Sequence, residues 1–502
     1  MARIAWAWVI LACAAAAVVV VGCTVGPDYR PPRTDLPGGF TGTGLIATTN
    51  PTSQPSVATT RPAELTRWWA NFQDPELDSL ISRALVANYD LRRATARIRQ
   101  SRAVLTGARA GLFPAVDAVG SYRRSYTGPG SGSSGSRATT RTSGAKAERD
   151  AWQAGFDASW EIDVFGGVRR GIEAATADVE SAIEDRRDVL VTLLGDVATN
   201  YIALRGFQQR IAIAQENLDA QRHTVDLTRQ LFGGGLRAGL DVVNAESVVA
   251  NTAAAIPSLE GSAQQTIYAL SILLGQEPAS LLKELSAPGL IPPTPPEIPV
   301  GLPSELLRRR PDIRRAERQL AAATARIGVA TADLFPRFTL TGNFTIGGNE
   351  FESLGNYANR SWGVGPSVSW PIIDFGRIRA NIEASNAFQE ELLYGYEQAV
   401  LLALNDVESA LVAYGKEQQH RRLLAEAVAA NRRALDLATQ LYAAQLTDFL
   451  NVLEAQRALY GSQDALVVSD RAVSTNLVAL YKALGGGWEG DVPPAPATMP
   501  AH

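Results

Sequence analysis

The chain has 502 residues, 46% apolar and 20% charged, with a formal net charge of −4. That balance excludes wholesale disorder and a multi-span helical membrane protein, and the interspersed charges exclude a dedicated nucleic-acid binder. The only cysteines are Cys13 and Cys23, and the histidines His223, His420 and His502 are scattered, so no disulfide framework or metal site is expected. No cofactor is expected either.

After Met1-Ala2-Arg3 an uncharged run extends from Ile4 to Gly22 and ends in Val20-Val21-Gly22-Cys23. A basic start, an apolar stretch and small residues before a cleavage point form the pattern of a secretory signal. A single transmembrane helix fits less well, because Thr24-Val25-Gly26-Pro27-Asp28-Tyr29 follows without a cationic flank. The aliphatic–small–Cys ending resembles the lipobox of bacterial lipoproteins, which implies that Cys23 becomes the acylated first residue. Thr24, rather than Asp, resembles the outer-membrane sorting rule. Residues 1–22 are therefore read as a lipoprotein signal peptide and 23–75 as a lipidated N-terminal linker.

Beyond the linker the sequence repeats. Asp90-Leu91-Arg92-Arg93-Ala94 returns as Asp312-Ile313-Arg314-Arg315-Ala316, and Leu112-Phe113-Pro114 as Leu334-Phe335-Pro336, both 222 residues on. Trp160, Phe165-Gly166 and Ile172-Glu173-Ala174 return as Trp370, Phe375-Gly376 and Ile382-Glu383-Ala384, now 210 residues on. The first copy has gained residues where the Gly/Ser stretch Gly128–Gly135 reads as a surface loop. Two structural repeats, 76–275 and 302–485, are joined by a Pro-rich linker, 276–301, and followed by a flexible tail, 486–502. A period near 200 is a duplication rather than a solenoid.

Each repeat opens with a helix and continues into a strand pair, 113–127/151–165 in the first and 335–347/361–373 in the second. From Trp152 to Val164 apolar and polar residues alternate, as they do from Phe338 to Ile346 and around Trp362 to Ile372. Period-2 alternation gives one apolar and one wet face. Arg124 interrupts the apolar side of the first run. Trp152/Trp160 and Trp362/Trp370 are each eight residues apart, roughly 26 Å along a strand and about 20 Å when tilted, near the spacing of a membrane barrel's aromatic girdles. These four tryptophans are expected to face lipid.

Long helices follow, 171–232 and 240–275 in the first repeat, 377–442 and 450–485 in the second. Positions 190, 194, 197, 201, 204, 208, 211, 215 and 218 step by four and three as a coiled-coil seam, with Gln208 and Gln215 as polar interruptions. Residues 171–232 would make a rod of roughly 93 Å, longer than a compact domain needs. Four strands cannot close a barrel, so the barrel must be shared between chains. A Gly- and Ser-rich inner face suits an open lumen, which favours three chains over two.

Cys23-Thr24-Val25-Gly26-Pro27-Asp28-Tyr29, Trp68-Trp69 through Asp74-Pro75-x-Leu77, Asn88-Tyr89-Asp90-Leu91, Arg310-Pro311-Asp312-Ile313 and Asp374-Phe375-Gly376 together resemble the outer-membrane factors, the TolC-like lipoprotein channels. The likeness covers nearly the whole mature chain. It implies an α+β membrane protein in which three chains form a twelve-stranded barrel on a long coiled-coil periplasmic tunnel. It also implies the partners: a periplasmic adaptor (membrane fusion protein) and an inner-membrane transporter of the resistance-nodulation-division type. Such a homotrimer in the outer membrane of a Gram-negative cell conducts solutes passively out of the periplasm. By motif position, the family's acidic periplasmic gate falls on Asn451 and Glu454, with Asp241 in the first repeat; Asn451 departs from the pattern and carries no charge. No Walker loop, His-Glu-x-x-His motif or Ser elbow occurs, and a duct requires none. The alternatives are a structural coiled-coil lipoprotein without a pore, or the duct of a type I protein secretion system.

Overall fold

The structure, a computed structural model, describes residues 24–34, 36–42, 57–59, 65–127, 147–295, 297–299 and 301–490. The signal segment, Cys23, the stretch 128–146 and the last twelve residues lie outside the described residues. In chain order the elements are β1 Val57–Thr59, a 3-10 turn Trp68–Phe72, α1 Pro75–Ala87, α2 Tyr89–Ala110, β2 Ala115–Thr127, β3 Ala147–Ile162, α3 Gly167–Gly233, α4 Gly239–Leu273, α5 Leu282–Leu285, β4 Glu297–Pro299, α6 Pro303–Arg309, α7 Pro311–Ala332, β5 Arg337–Gly348, 3-10 turns Phe351–Gly355 and Tyr357–Asn359, β6 Arg360–Ser369, α8 Arg377–Ala443 and α9 Phe449–Ala483.

The three longest helices of each repeat match in length. Helices α2 and α7 have 22 residues each, α3 and α8 have 67, and α4 and α9 have 35. Starts of β2 and β5 differ by 222 and those of α3 and α8 by 210, so the residues gained by the first repeat lie after β2 and before α3. The chain divides into two compact units. One holds Gln100–Val179, Arg318–Leu393 and the segment up to Pro31; the other holds Pro32–Arg99, Glu180–Glu317 and Tyr394 onward.

In the first unit four strands form an antiparallel meander, β2-β3-β5-β6. Tyr122 lies opposite Trp152, Phe156 opposite Phe344, and Phe344 opposite Trp362. Directly opposed residues share a face and alternate residues do not. One face therefore carries Tyr122, Trp152, Phe156, Trp160, Leu340, Phe344, Trp362 and Val364. The other carries Asp117, Gln153, Asp157, Ser159, Thr341, Asn343 and Ser367. Val116, Tyr122, Phe156, Trp362, Val364 and Val368 are exposed, a band wider than scattered surface apolar residues provide. Among the described residues no helix is long and apolar enough to cross a membrane. Arg124 sits near the turn end of the β2–β3 hairpin, where it pairs with Glu148 and lies 3.8 Å from Asp150.

The strand ends differ from the alternation pattern. β3 stops at Ile162 rather than 165, because the Asp163 carboxylate turns to accept the N–H groups of Val168 at 3.2 Å and Arg169 at 2.9 Å at the start of α3. β6 stops at Ser369, so Trp370 lies just beyond the strand; Pro371 follows and cannot donate to a ladder. At α8, Asp374 plays the capping part: the N–H groups of Ile378 and Gly376 hold its carboxyl below the usual carboxylate range. The indoles of Trp160 and Trp370 donate to the carbonyls of Leu112 and Leu334, each at 3.0 Å, equivalent bonds in the two repeats. Phe165 stacks on Phe335, ring centres 4.6 Å apart. Their repeat counterparts, Phe375 and Phe113, are 98% and 68% exposed.

In the second unit the core includes Leu65, Trp68, Trp69 and Phe72, which composition alone assigned to the linker 23–75. The Trp68 ring stacks on Tyr481 with 5.2 Å between centres. Asp74 caps α1 by accepting the N–H groups of Glu76 and Leu77, and Pro75 occupies the first helical position. The 276–301 segment is likewise more than a linker: Leu281 and Leu285 are buried, and β4 pairs in parallel with β1. At the start of the predicted tail the Trp488 indole donates to Arg309 O at 2.8 Å and its ring lies 4.4 Å from the Arg187 guanidinium. Pro and Gly content signals missing regular structure, while aromatic side chains seek burial regardless of it.

The seam on α3 holds from Leu190 through Leu194, Val197, Tyr201, Leu204 and Gln208, all buried. It then shifts: Ala214, Leu218, Gln221, Val225 and Thr228 are buried and Gln215 is exposed.

Candidate functional site

Helices α3 and α4 are joined by the turn 234–238, and α8 and α9 by 444–448. The two turns are built alike. Leu236 N–H donates to Leu231 O at 2.9 Å and Leu446 N–H to Leu441 O at 2.8 Å; Gly235 N–H donates to Phe232 O and Gln445 N–H to Tyr442 O, each at 2.9 Å. This paired bonding at a helix end requires a left-handed residue. Gly235 adopts it at φ 73° and Gln445 at φ 62°, where a side chain costs about 1 kcal/mol.

Behind the turns lies a small core of Val225, Ala245, Val248, Tyr442, Phe449, Val452 and Leu453. The Tyr442 and Phe449 ring centres are 5.4 Å apart. Burial pushes the Tyr442 hydroxyl up from its usual pKa, and Asp241 adds to the rise. A polar ladder continues above this core. Gln456 donates to Thr224 Oγ1 at 2.8 Å, Asn217 to Gln463 Oε1 at 2.9 Å, and Arg210 to Asp464 at 2.6 Å. The first two rungs are seven residues apart on both helices, which keeps α3 and α9 in antiparallel register.

The three acids and amides expected at the entrance occupy different environments. Asp241 is half-buried in the first turn of α4, beside Tyr442. Asn451, its repeat equivalent, is exposed and donates to Thr447 Oγ1 at 2.6 Å. Glu454 is exposed on α9.

The residue that joins the two turns is Arg237, which the sequence reading passed over. Its Nη2 donates to Thr447 O at 2.8 Å, its Nη1 lies 3.8 Å from Asp448 Oδ1, and its guanidinium lies 4.8 Å from the Tyr442 ring centre. Two signals were available: Arg237 is the only basic residue between Arg229 and Lys283, and its repeat equivalent is Thr447, so the duplication breaks there. Leu236, Leu240, Leu446 and Leu450, again two equivalent pairs, are exposed around the turns. The arrangement can clasp two helix hairpins together and present an apolar rim; among the described residues no cluster of acids and histidines could hold a metal.

Comparison with known proteins agrees with this architecture. The profile of the outer membrane efflux protein family matches residues 80–276 and 302–486, the two repeats. The chain is 37% identical over 429 residues to the pyoverdine export outer membrane protein OpmQ of Pseudomonas aeruginosa, covering 86% of this chain and 89% of that one. It is 32% identical over 473 residues to nodulation protein T of Rhizobium leguminosarum bv. trifolii, covering 94% and 96%. Among solved structures, the outer-membrane channel OprN superposes with a TM-score of 0.83 at 37% identity, over 93% of this chain and all of that one. CusC gives 0.78 at 27% identity over 93% of this chain and all of that one. With both repeats matched and relatives above 30% identity spanning most of its length, the chain belongs to the outer membrane efflux protein family.

Proposed function

We propose that three copies of the chain pair their open sheet edges, β2 and β6, into a twelve-stranded barrel that continues into a tunnel of the long helices. Solutes then leave the periplasm through this duct when a periplasmic adaptor and an inner-membrane transporter of the resistance-nodulation-division type are engaged. Trp152, Trp160, Trp362 and Trp370 border the lipid-facing band, and acyl chains on Cys23 add an anchor. The entrance lies at turns 234–238 and 444–448, shut by the Arg237 clasp and lined by Asp241, Asn451 and Glu454. The exposed leucines at these turns offer an apolar rim for the adaptor.

The observation that carries this reading is the sheet register, which collects the aromatic residues and all the larger aliphatic ones except Val119 on one face and leaves two strand edges open. A lipid-facing sheet must close, because hydrocarbon leaves unpaired backbone groups unsatisfied. Relatives are described as exporting pyoverdine or as toluene, antibiotic and solvent efflux proteins. Such varied cargo at similar identity supports a duct whose substrate, a small organic solute, is chosen by the transporter. Recording single-channel currents from purified protein in a planar bilayer tests the proposal, together with native mass spectrometry for three chains. Absence of pores would favour the pore-less structural lipoprotein, and a stable monomer with full β content would overturn the shared barrel.

A further inference from the structure

We propose that residues 24–29 are a docking peptide that holds the acylation point at residue 23 to the junction of β3 and α3, with Arg170 as its positioning residue. This rests on reading Cys23 as the lipid anchor.

The segment has no regular structure, yet its backbone is specifically held. Val25 N–H donates to Phe165 O at 3.1 Å. Arg170, only 3% exposed, donates from Nε to Val25 O at 3.1 Å and from Nη2 to Gly26 O at 3.3 Å and Asp28 Oδ1 at 2.7 Å. Its remaining Nη1 bond, 2.8 Å to Glu173, stays within α3. A buried guanidinium without partners is costly; removing the segment would strip Arg170 of three of these bonds. A tether that merely had to reach the membrane would need no such arrangement.

Shape makes the fit selective. A Cβ on Gly26, at φ 88°, would lie 2.4 Å from Gly328 Cα, and a Cβ on Gly328 would lie 2.7 Å from the Arg170 side chain. The segment therefore touches α7 backbone to backbone, an approach that only glycine at both positions permits. Tyr29 packs on the alanine patch Ala177, Ala321 and Ala322, with the Arg318 guanidinium 5.6 Å from its ring centre. At the other end Thr24 lies against Gly166, where a Cβ would be 2.9 Å from Thr24 Cα. Phe165, stacked on Phe335, precedes Gly166. Thr24 is thus held beside Gly166, next to the ring pair of Phe165 and Phe335.

The test uses the full-length protein in detergent and needs no cargo. p-Benzoylphenylalanine replaces the exposed Thr24, and its photo-adduct is mapped by mass spectrometry, with hydrogen exchange of the peptide covering residues 24–30 measured in parallel. Wild type and Cys23→Ser should both give an adduct within residues 160–170 and a protected Val25 amide. Gly26→Val, which alters only the segment, and Arg170→Ala should lose the adduct and exchange at least tenfold faster, with acyl mass unchanged. Arg170→Lys, unable to serve three acceptors at once, should fall between. An unaltered adduct and unaltered exchange in Gly26→Val would overturn the dock. Wild type lacking acyl mass but keeping its adduct would instead overturn the anchor.

Discussion

The guanidinium of Arg237 lies 4.8 Å from the centre of the Tyr442 ring, and the same side chain donates to the carbonyl of Thr447. One turn thereby grips the other. Thr447 is the residue that the duplication places in register with Arg237, so the clasp joins equivalent positions of the two hairpins and exists because they have diverged.

Arg237→Ala should open the entrance. It removes a charge-assisted hydrogen bond worth about 1.5–3 kcal/mol and a cation–π contact worth about 0.5–1 kcal/mol. If both exist only in the closed arrangement, the open-to-closed ratio rises on the order of tenfold or more. Single-channel open probability in planar bilayers reads this directly, and an unchanged value would remove Arg237 from the gate. Arg237→Lys should behave in between, since an ammonium lacks the flat fork.

Glu454→Ala should lower cation selectivity and weaken block by divalent cations. Like charges several Å apart repel by about 1 kcal/mol in water and more in a restricted pore. Asp241→Ala should act in the same direction but less, because its carboxylate is half-buried beside Tyr442. Asn451→Ala should leave charge selectivity alone. Reversal-potential measurements in asymmetric salt decide; no change in Glu454→Ala would mark it as a solvated residue near a helix start.

How far the sequence carried depended on what each residue's neighbours contribute. The Trp152-to-Val164 alternation and the four-and-three steps from 190 to 218 are local periodicities, so strands and long helices could be read directly. The predicted helix bounds, 171–232 with 240–275 and 377–442 with 450–485, already left room for the two turns between them. Arg237 stayed hidden, since its partners Tyr442, Thr447 and Asp448 lie more than 200 residues away and no local pattern links them. Trp68 and Trp488 were misread for the converse reason: proline- and glycine-rich surroundings look like linker, although the rings are held by Tyr481 and Arg187 from distant helices.

The two faces of the sheet should tolerate charge differently. Phe156→Arg places a cation on the apolar face near the middle of β3, where lipid exposure costs about 2–4 kcal/mol. Asp157→Arg, one residue on, points to the polar face and should insert normally. Outer-membrane yield of heat-resistant oligomer compares them, and equal yields would mean that the apolar face does not meet lipid.

Intact mass should show a mature chain beginning at residue 23 with added acyl mass, and Cys23→Ser should lose it. That variant should still insert, though less efficiently, since the sheet carries its own apolar band. A mature start elsewhere would refute the anchor.

The strand pairing inside the chain also forecasts the pairing between chains. Ala158 faces Gly342 across β3 and β5; the repeat equivalents are Val368 on β6 and Gly120 on β2. Gly120→Cys with Val368→Cys should therefore form interchain disulfides under mild oxidation, while Ser125→Cys with Val368→Cys should not. Equal linking in both pairs would refute the register.

The stack of Phe165 on Phe335 then has a meaning beyond one chain. Phe375 and Phe113 are the same two halves left uncoupled, so each chain carries one finished joint and the two ends of another. Closing a ring would complete those ends with neighbours, turning a duplicated gene into a circle of six similar seams, only three of them crossing a molecular boundary. For such a ring, joining subunits repeats a step the chain has already performed on itself, and folding supplies the template for assembly.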